Sequence, residues 1–318
     1  MHLTDAPTTM PDLSCYTTNL LAYLTPHVPD VRRRLAHAVR LAVRTDMPPG
    51  ELAFSHHTRI DTTDDGRRLA YHAALDWPTA RRALLGLLHR DRRALAVANT
   101  RHLPWAPAHQ QADAPHWLLI RDHRDGRWLL ADHFSALTPH GEQKAYLGWV
   151  DDTRLAALMT PWPHPSREAA RRDGLALGET VPLPPPAHYR WLAPTTPAPA
   201  PDAGAPGPGT WTFALEPSLT HVAAVLREDP TALTRHADDL WAAARHHTYR
   251  LAYALADAAL DPERAAAATV AWDALPQALR FAARSAARGR PRPGLVDRAV
   301  DHLLTAHHAL RADLPEKD

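Results

Sequence analysis

The feature that most limits what this chain can become is the tract Ala193–Gly209, which reads APTTPAPAPDAGAPGPG. Proline fixes φ and removes a backbone donor, and glycine and alanine bring little surface to bury. Such a stretch joins neither a regular element nor a core, so it reads as a linker or long surface loop. It divides 318 residues, a length that suits roughly two domains. The expected organisation is a mixed α and β domain over 1–192, a linker over 193–210 and an α-helical domain over 211–318. Gly207-Pro208-Gly209 is no phosphate loop, because Pro208 lacks the N–H that a phosphate needs.

Before the tract, short apolar runs alternate between helical and strand periods. Ser14-Cys15 opens an apolar run, Leu13–Leu24, that Pro26 stops. Asp30 stands as an N-cap before Val31, Leu35, Val39 and Val43, a helical spacing. Leu52–Phe54 and Leu69–Leu75 read as strands around an Asp64-Asp65-Gly66 turn. Pro78-Thr79 starts a helix through Leu88, and Ala94–Asn99 is a strand. His116–Arg121 and Arg127–His133 flank Asp125-Gly126 as two more strands, and Leu147–Val150 adds another. Asp151-Asp152-Thr153 caps a helix through Met159. After the tract the helical period dominates. Glu216-Pro217 opens a first helix, Thr231 a long one to about Leu260, and Asp261-Pro262-Glu263 a third that Pro276 kinks or breaks. Gly289 stops it, and Leu295–Leu310 forms the last.

Composition narrows the function. Lys+Arg is 36 and Asp+Glu 35, and this balance argues against a dedicated nucleic-acid binder. No run of about 18 apolar residues predicts a membrane span. Residues 1–13 lack the basic and apolar regions of a secretory signal, so a cytoplasmic setting is expected. Cys15 is the one cysteine, which excludes an intrachain disulfide framework and a Cys-rich zinc site. The 22 histidines accompany abundant Ala, Arg and Pro, so no single one is diagnostic. The adjacent pairs His56-His57, His246-His247 and His307-His308 point their side chains apart, and no metal or cofactor site is expected. Arginine clusters such as Arg32-Arg33-Arg34 and Arg81-Arg82 read as solvated faces, or as a docking surface for an acidic carrier protein.

The sharpest chemical signal is the segment His116–Asp132. With a five-residue loop centred on Arg124, Arg121 opposes Arg127, Ile120 opposes Trp128, Leu118 opposes Leu130 and His116 opposes Asp132. The last two then share a face about 5 Å apart at Cβ, and a slip of one residue would separate them. A carboxylate beside an imidazole orients the ring and stabilises its protonated form. Cys15 precedes a helical run, and a helix N-terminus together with a nearby imidazolium favours the thiolate. Cys15, His116 and Asp132 therefore make a nucleophile, a base and its orienter.

These residues also carry a resemblance. A cysteine at an early helix start, followed about a hundred residues later by HWLLI and then DGRWLLAD, resembles the papain-like layout of bacteriocin-leader peptidases. More narrowly, LSCYTTNLLAYL, HWLLIRDHRDGRWLLADHF and GWVDDTRLAALM, with an Ala-rich tail around AWDALPQALRFAARSA, resemble the butirosin-biosynthesis protein H-type family. The resemblance spans most of the chain through short motifs. It implies an α+β fold of the papain-like cysteine-protease type, with an antiparallel sheet and a helical C-terminal region. It implies an acyltransferase of specialised metabolism that takes an acyl or aminoacyl group from an acyl-carrier-protein thioester. Cys15 would be nucleophile, His116 base and Asp132 orienter, with a small-molecule amine or hydroxyl as acceptor. Where many papain-like enzymes place a Gln before the Cys, this chain has Thr9. The oxyanion would then rest on the Cys15 N–H and a second donor among Thr9, Thr17 and Asn19. Two other readings stay open: a thioesterase or peptidase with the same triad, and a non-catalytic binding or scaffold protein in which Cys15 is a core thiol.

Overall fold

The computed structural model describes residues 10–63, 65–195 and 205–311. They form an α+β protein with antiparallel sheets and a helical C-terminal region. No helix among them is long and apolar enough to cross a membrane. The chain divides into two compact units, residues 1–32 with 60–200 and residues 33–59 with 201–318.

The first unit is built on a six-stranded antiparallel sheet. Its strands are β3 (Arg68–Ala74), β4 (Ala94–Asn99), β5 (Pro115–Arg124), β6 (Arg127–Asp132), β9 (Tyr146–Asp151) and β10 (Tyr189–Thr195). They lie in the order β3-β10-β4-β5-β6-β9, and a small ribbon pairs β7 (Ala136–Thr138) with β8 (Gly141–Gln143). Helix α3 (Trp77–Asp91) starts where Asp76 caps the Thr79 N–H at 2.8 Å and ends on Arg92 at φ 60°. Its Leu84 and Leu87 pack with Leu118, Ile120, Trp128 and Leu130 of the sheet. Asp151 caps α4 (Asp152–Leu158), whose Leu155 and Leu158 join the same core, and Ser166 caps α5 (Arg167–Leu175). Helix α1 (Cys15–Leu24) is capped by Ser14 and lies on β5 and β4, with every residue after Cys15 buried.

The β5–β6 hairpin corrects the expected register. Asp125 and Gly126 both adopt positive φ, 50° and 73°. That is the conformation of a tight two-residue hairpin turn, which Asp-Gly favours, so Arg124 opposes Arg127 in place of a five-residue loop. Carried on unbroken, this register sets Leu119 against Asp132 and turns His116 to the other face. A bulge intervenes: Ile120 opposes Leu130 while Asp122 opposes Leu129, which leaves exposed Arg121 as the extra residue. Beyond the bulge the register continues as Leu118 opposite Asp132, with His116 on its diagonal. The displacement from the expected pairing is two residues, so the face is kept and the direct opposition is lost.

The second unit differs from the expected all-helical domain. It carries a three-stranded sheet in the order β11-β1-β2, from β1 (Val39–Arg44), β2 (Phe54–His57) and β11 (Trp211–Thr212). Residues 33–59, expected in the first domain, belong here because Leu41, Val43, Leu52 and Phe54 bury against Leu219, Leu240, Leu275 and Trp272. Polar ties fix them: the Leu52 N–H donates to His236 Nε2 at 3.2 Å and Ser218 Oγ to the Leu41 carbonyl at 3.1 Å. The helix expected from Val31 to Val43 ends as α2 (Val31–Ala38), since Val39 onward pairs with β2 as a strand. Asp30 sits at φ 49° rather than in an extended cap. The strands placed around Asp65-Gly66 pair apart, β2 with β1 and β3 with β10, and Asp64 lies outside the described residues.

The helices α6 (Leu215–Glu228), α9 (Pro262–Ala287) and α10 (Pro293–Arg311) follow the expected starts. The helix expected from Thr231 is two, α7 (Ala232–Arg235) and α8 (Ala237–Ala256), parted at His236, whose ring is tied to Leu52. Helix α9 runs through Pro276 without a break. Of the linker, Ala193–Thr195 is the end of β10, paired with Arg68–Ala70, and residues 196–204 lie outside the described set.

Candidate active site

Cys15 is the first residue of α1, because Ser14 takes an extended conformation and its Oγ accepts the Thr17 N–H at 3.1 Å. A helix leaves its first N–H groups without intrahelical acceptors, and they favour negative charge nearby. The thiol is partly exposed, while the helix behind it is buried.

His116 is 3 % and Asp132 1 % exposed. His116 Nε2 meets Asp132 Oδ2 at 2.7 Å, and the Cys15 sulfur lies within hydrogen-bonding reach of the same ring. With Nε2 committed to the carboxylate, Nδ1 is the nitrogen left for the sulfur. The diagonal register explains the choice: diagonal cross-strand neighbours are about 7–8 Å apart, so contact needs the far nitrogen of the ring. Burial works against charge on His116, but the Asp132 carboxylate and the Cys15 sulfur outweigh it and raise the imidazolium to about 10.

Asp132 is the hub. Oδ1 accepts from Asn19 Nδ2 at 3.0 Å and from the Phe134 N–H at 3.0 Å. Oδ2 accepts from Trp105 Nε1 at 2.8 Å and Gln143 Nε2 at 3.3 Å, besides His116. Burial would raise its pKa, but the imidazolium and these donors hold it below the usual carboxylate value. Trp105 is itself stacked on Tyr146, centroids 3.9 Å apart and planes within 3°. Sequence reasoning missed Trp105 and Gln143. Their only signal was position, a tryptophan in a loop and a glutamine on a three-residue strand.

The oxyanion candidates fare differently. Asn19 is corrected: its Nδ2 reaches Asp132, the Trp117 carbonyl at 2.9 Å and the Cys15 carbonyl at 3.1 Å, and its Oδ1 accepts the His133 N–H at 3.0 Å. A fully buried amide so committed has no hydrogen left for an oxyanion. Thr17 is 3 % exposed, and its Oγ1 accepts from Ser14 Oγ at 3.1 Å. Thr9 lies outside the described residues. The backbone N–H of Cys15 lies at the first position of α1, where a helix leaves its N–H groups without intrahelical acceptors.

Behind α1, Tyr16 packs edge-on against Trp117 at 5.1 Å. Buried Asp173 accepts from Tyr71 Oη at 2.7 Å and from Arg190 Nη1 at 2.6 Å. Burial, the Asp173 charge and the Cys15 sulfur hold the Tyr16 phenol well above its ordinary value, so it stays neutral there.

Such a constellation can attack an acyl carbon, hold the resulting ester on sulfur and shuttle one proton. Among the described residues no group of three metal-ligating side chains converges. The chain matches no protein-family model and no curated protein.

Proposed function

We propose that this chain is a cysteine acyltransferase of the papain-like type, which takes its acyl group from a carrier-protein thioester and passes it to a small amine or hydroxyl. The observation that carries the reading is one buried imidazole with a carboxylate at 2.7 Å on Nε2 and the sulfur of a helix N-terminus in reach of its other side. A buried antiparallel strand pair and a helix that begins at the cysteine suit that fold type, as does the resemblance of the motifs around both.

The Cys15 thiolate attacks the thioester carbonyl. The tetrahedral adduct collapses, the C–S bond to the carrier breaks, and the His116 imidazolium protonates the departing thiolate. The acceptor amine then attacks the acyl-enzyme, His116 takes its proton, and Cys15 leaves as thiolate. Proton and charge return to their starting places. Asp132 keeps the ring oriented throughout and stabilises its charged form. Exchanging one thioester for another on Cys15 costs little, and exclusion of water favours the acceptor.

The test is the mass left on the intact protein after incubation with a panel of acyl-carrier thioesters. A stable acyl adduct is expected, discharged by added amines and absent in Cys15→Ser. Discharge by water alone, at the same rate with and without amines, would assign hydrolysis. No adduct with any donor, together with a thiol inert to iodoacetamide below pH 8.5 (about the free-thiol pKa), would leave a scaffold.

A further inference from the structure

We infer that the second unit holds a binding site for a small apolar carboxylic acid, separate from the Cys15–His116–Asp132 cluster. A cavity of about 410 Å³ opens within that unit. That volume lies in the range of small-molecule sites, about 300–1,000 Å³. Its walls include Phe213, Leu251, Trp272 and Leu303. The charged or titratable residues on the lining are two arginines, Arg40 and Arg250, and two histidines, His247 and His307. Among the described residues no carboxylate lines it.

The cationic groups are held in place. Arg40 donates through Nε and Nη2 to Ser55 Oγ at 3.2 and 3.1 Å, and its guanidinium lies 5.6 Å from the Phe213 ring centre. Arg250 Nη1 donates to the Val39 carbonyl at 3.2 Å. A planar, positioned guanidinium suits a carboxylate better than a mobile ammonium does. His247 is 9 % exposed, its ring stacked on Trp272 at 4.1 Å with planes within 7°. Its Nε2 is buried without a protein hydrogen-bond partner. Burial, with Arg250 and the neighbouring His56 and His307, holds that imidazole neutral, down to about 3. A neutral ring on an aromatic wall favours an apolar body, and the arginines supply the counter-charge for one anionic end. A fully ionic ligand would waste the walls, and a cationic one would meet two like charges.

Titration calorimetry on the full chain with octanoate, 1-octanol and octylammonium tests this. Octanoate is expected to bind once per chain, and about tenfold or more tighter than octanol, the gap of one charge-assisted contact. Octylammonium is expected to be the weakest of the three. Arg250→Gln is expected to weaken octanoate about tenfold while leaving octanol unchanged. Ala254→Trp, which fills a lining position that is not fully buried, is expected to abolish both, with its helical circular dichroism unaltered. Equal binding of all three probes, no octanoate binding, or full binding in Ala254→Trp would overturn the proposal. Cys15→Ser is expected to bind octanoate as the parent does, so failure here and failure of the acyltransferase reading are told apart.

Discussion

Asp132→Ala is expected to destabilise the first unit by about 3–5 kcal/mol, the cost of stripping one partner from a buried ion pair. The carboxylate accepts from His116, Asn19, Trp105, Gln143 and the Phe134 N–H. Truncation leaves all of these facing a void in a site that is 1 % exposed. Buried donors without acceptors lose the full cost of their desolvation. Asp132→Asn is expected to cost less, because it keeps the volume and one acceptor, yet it offers an N–H₂ to groups that are themselves donors. Thermal and urea unfolding measure both variants. A loss under 1 kcal/mol in the alanine variant would mean that the network relaxes into water. The acid limb follows from the same carboxylate. Its folded pKa lies below the ordinary 3.8, so its contribution is complete above that value and is lost as pH falls through the folded one. Asp132→Asn is expected to remove that limb.

His116→Ala is expected to slow acylation of Cys15 by about 10²–10⁴-fold, the usual worth of a positioned acid–base group. Single-turnover mass measurement with an acyl thioester reads it directly. Unchanged acylation would reject His116 as the proton carrier. The parent's pH profile carries a matching signature. His116 is raised from 6.5 to about 10, so the stability contributed by its charge is whole below pH 6.5 and is lost as pH rises through about 10. In the proposed acylation the imidazolium protonates the departing thiolate, so an alkaline limb is expected near that same pH. In His116→Ala the limb is expected to vanish along with the rate.

The sequence made some of this legible and hid the rest for physical reasons. Caps and turns are local, so the starts of α1, α3, α4 and α9 followed from Ser14, Pro78, Asp151 and Asp261, while the Asp76 cap of α3 went unread. The pairing of His116 with Asp132 depended on strand parity, which survived a register displaced by two residues. The bulge at Arg121 was invisible, since nothing in an exposed arginine marks it as an extra residue. Residues 33–59 were assigned to the wrong unit because membership depends on partners more than 150 residues away, and an amphipathic Leu41 or Phe54 does not name them. Asn19 looked like a spare donor because sequence cannot show that an amide's hydrogens are already committed.

That amide has a mechanical consequence. Asn19 joins the first turn of α1 to the Trp117 carbonyl of β5 and to Asp132 and His133 at the end of β6. A helix and both strands of a hairpin about a hundred residues further along hang on one planar group. In hydrogen exchange the amides of Leu20–Leu24 and Trp117–Ile120 are therefore expected to open as one cooperative block, and Asn19→Ala is expected to split it into two with different opening energies. The sulfur is then expected to be no passenger on a fraying helix end, but to move only with the sheet beneath it.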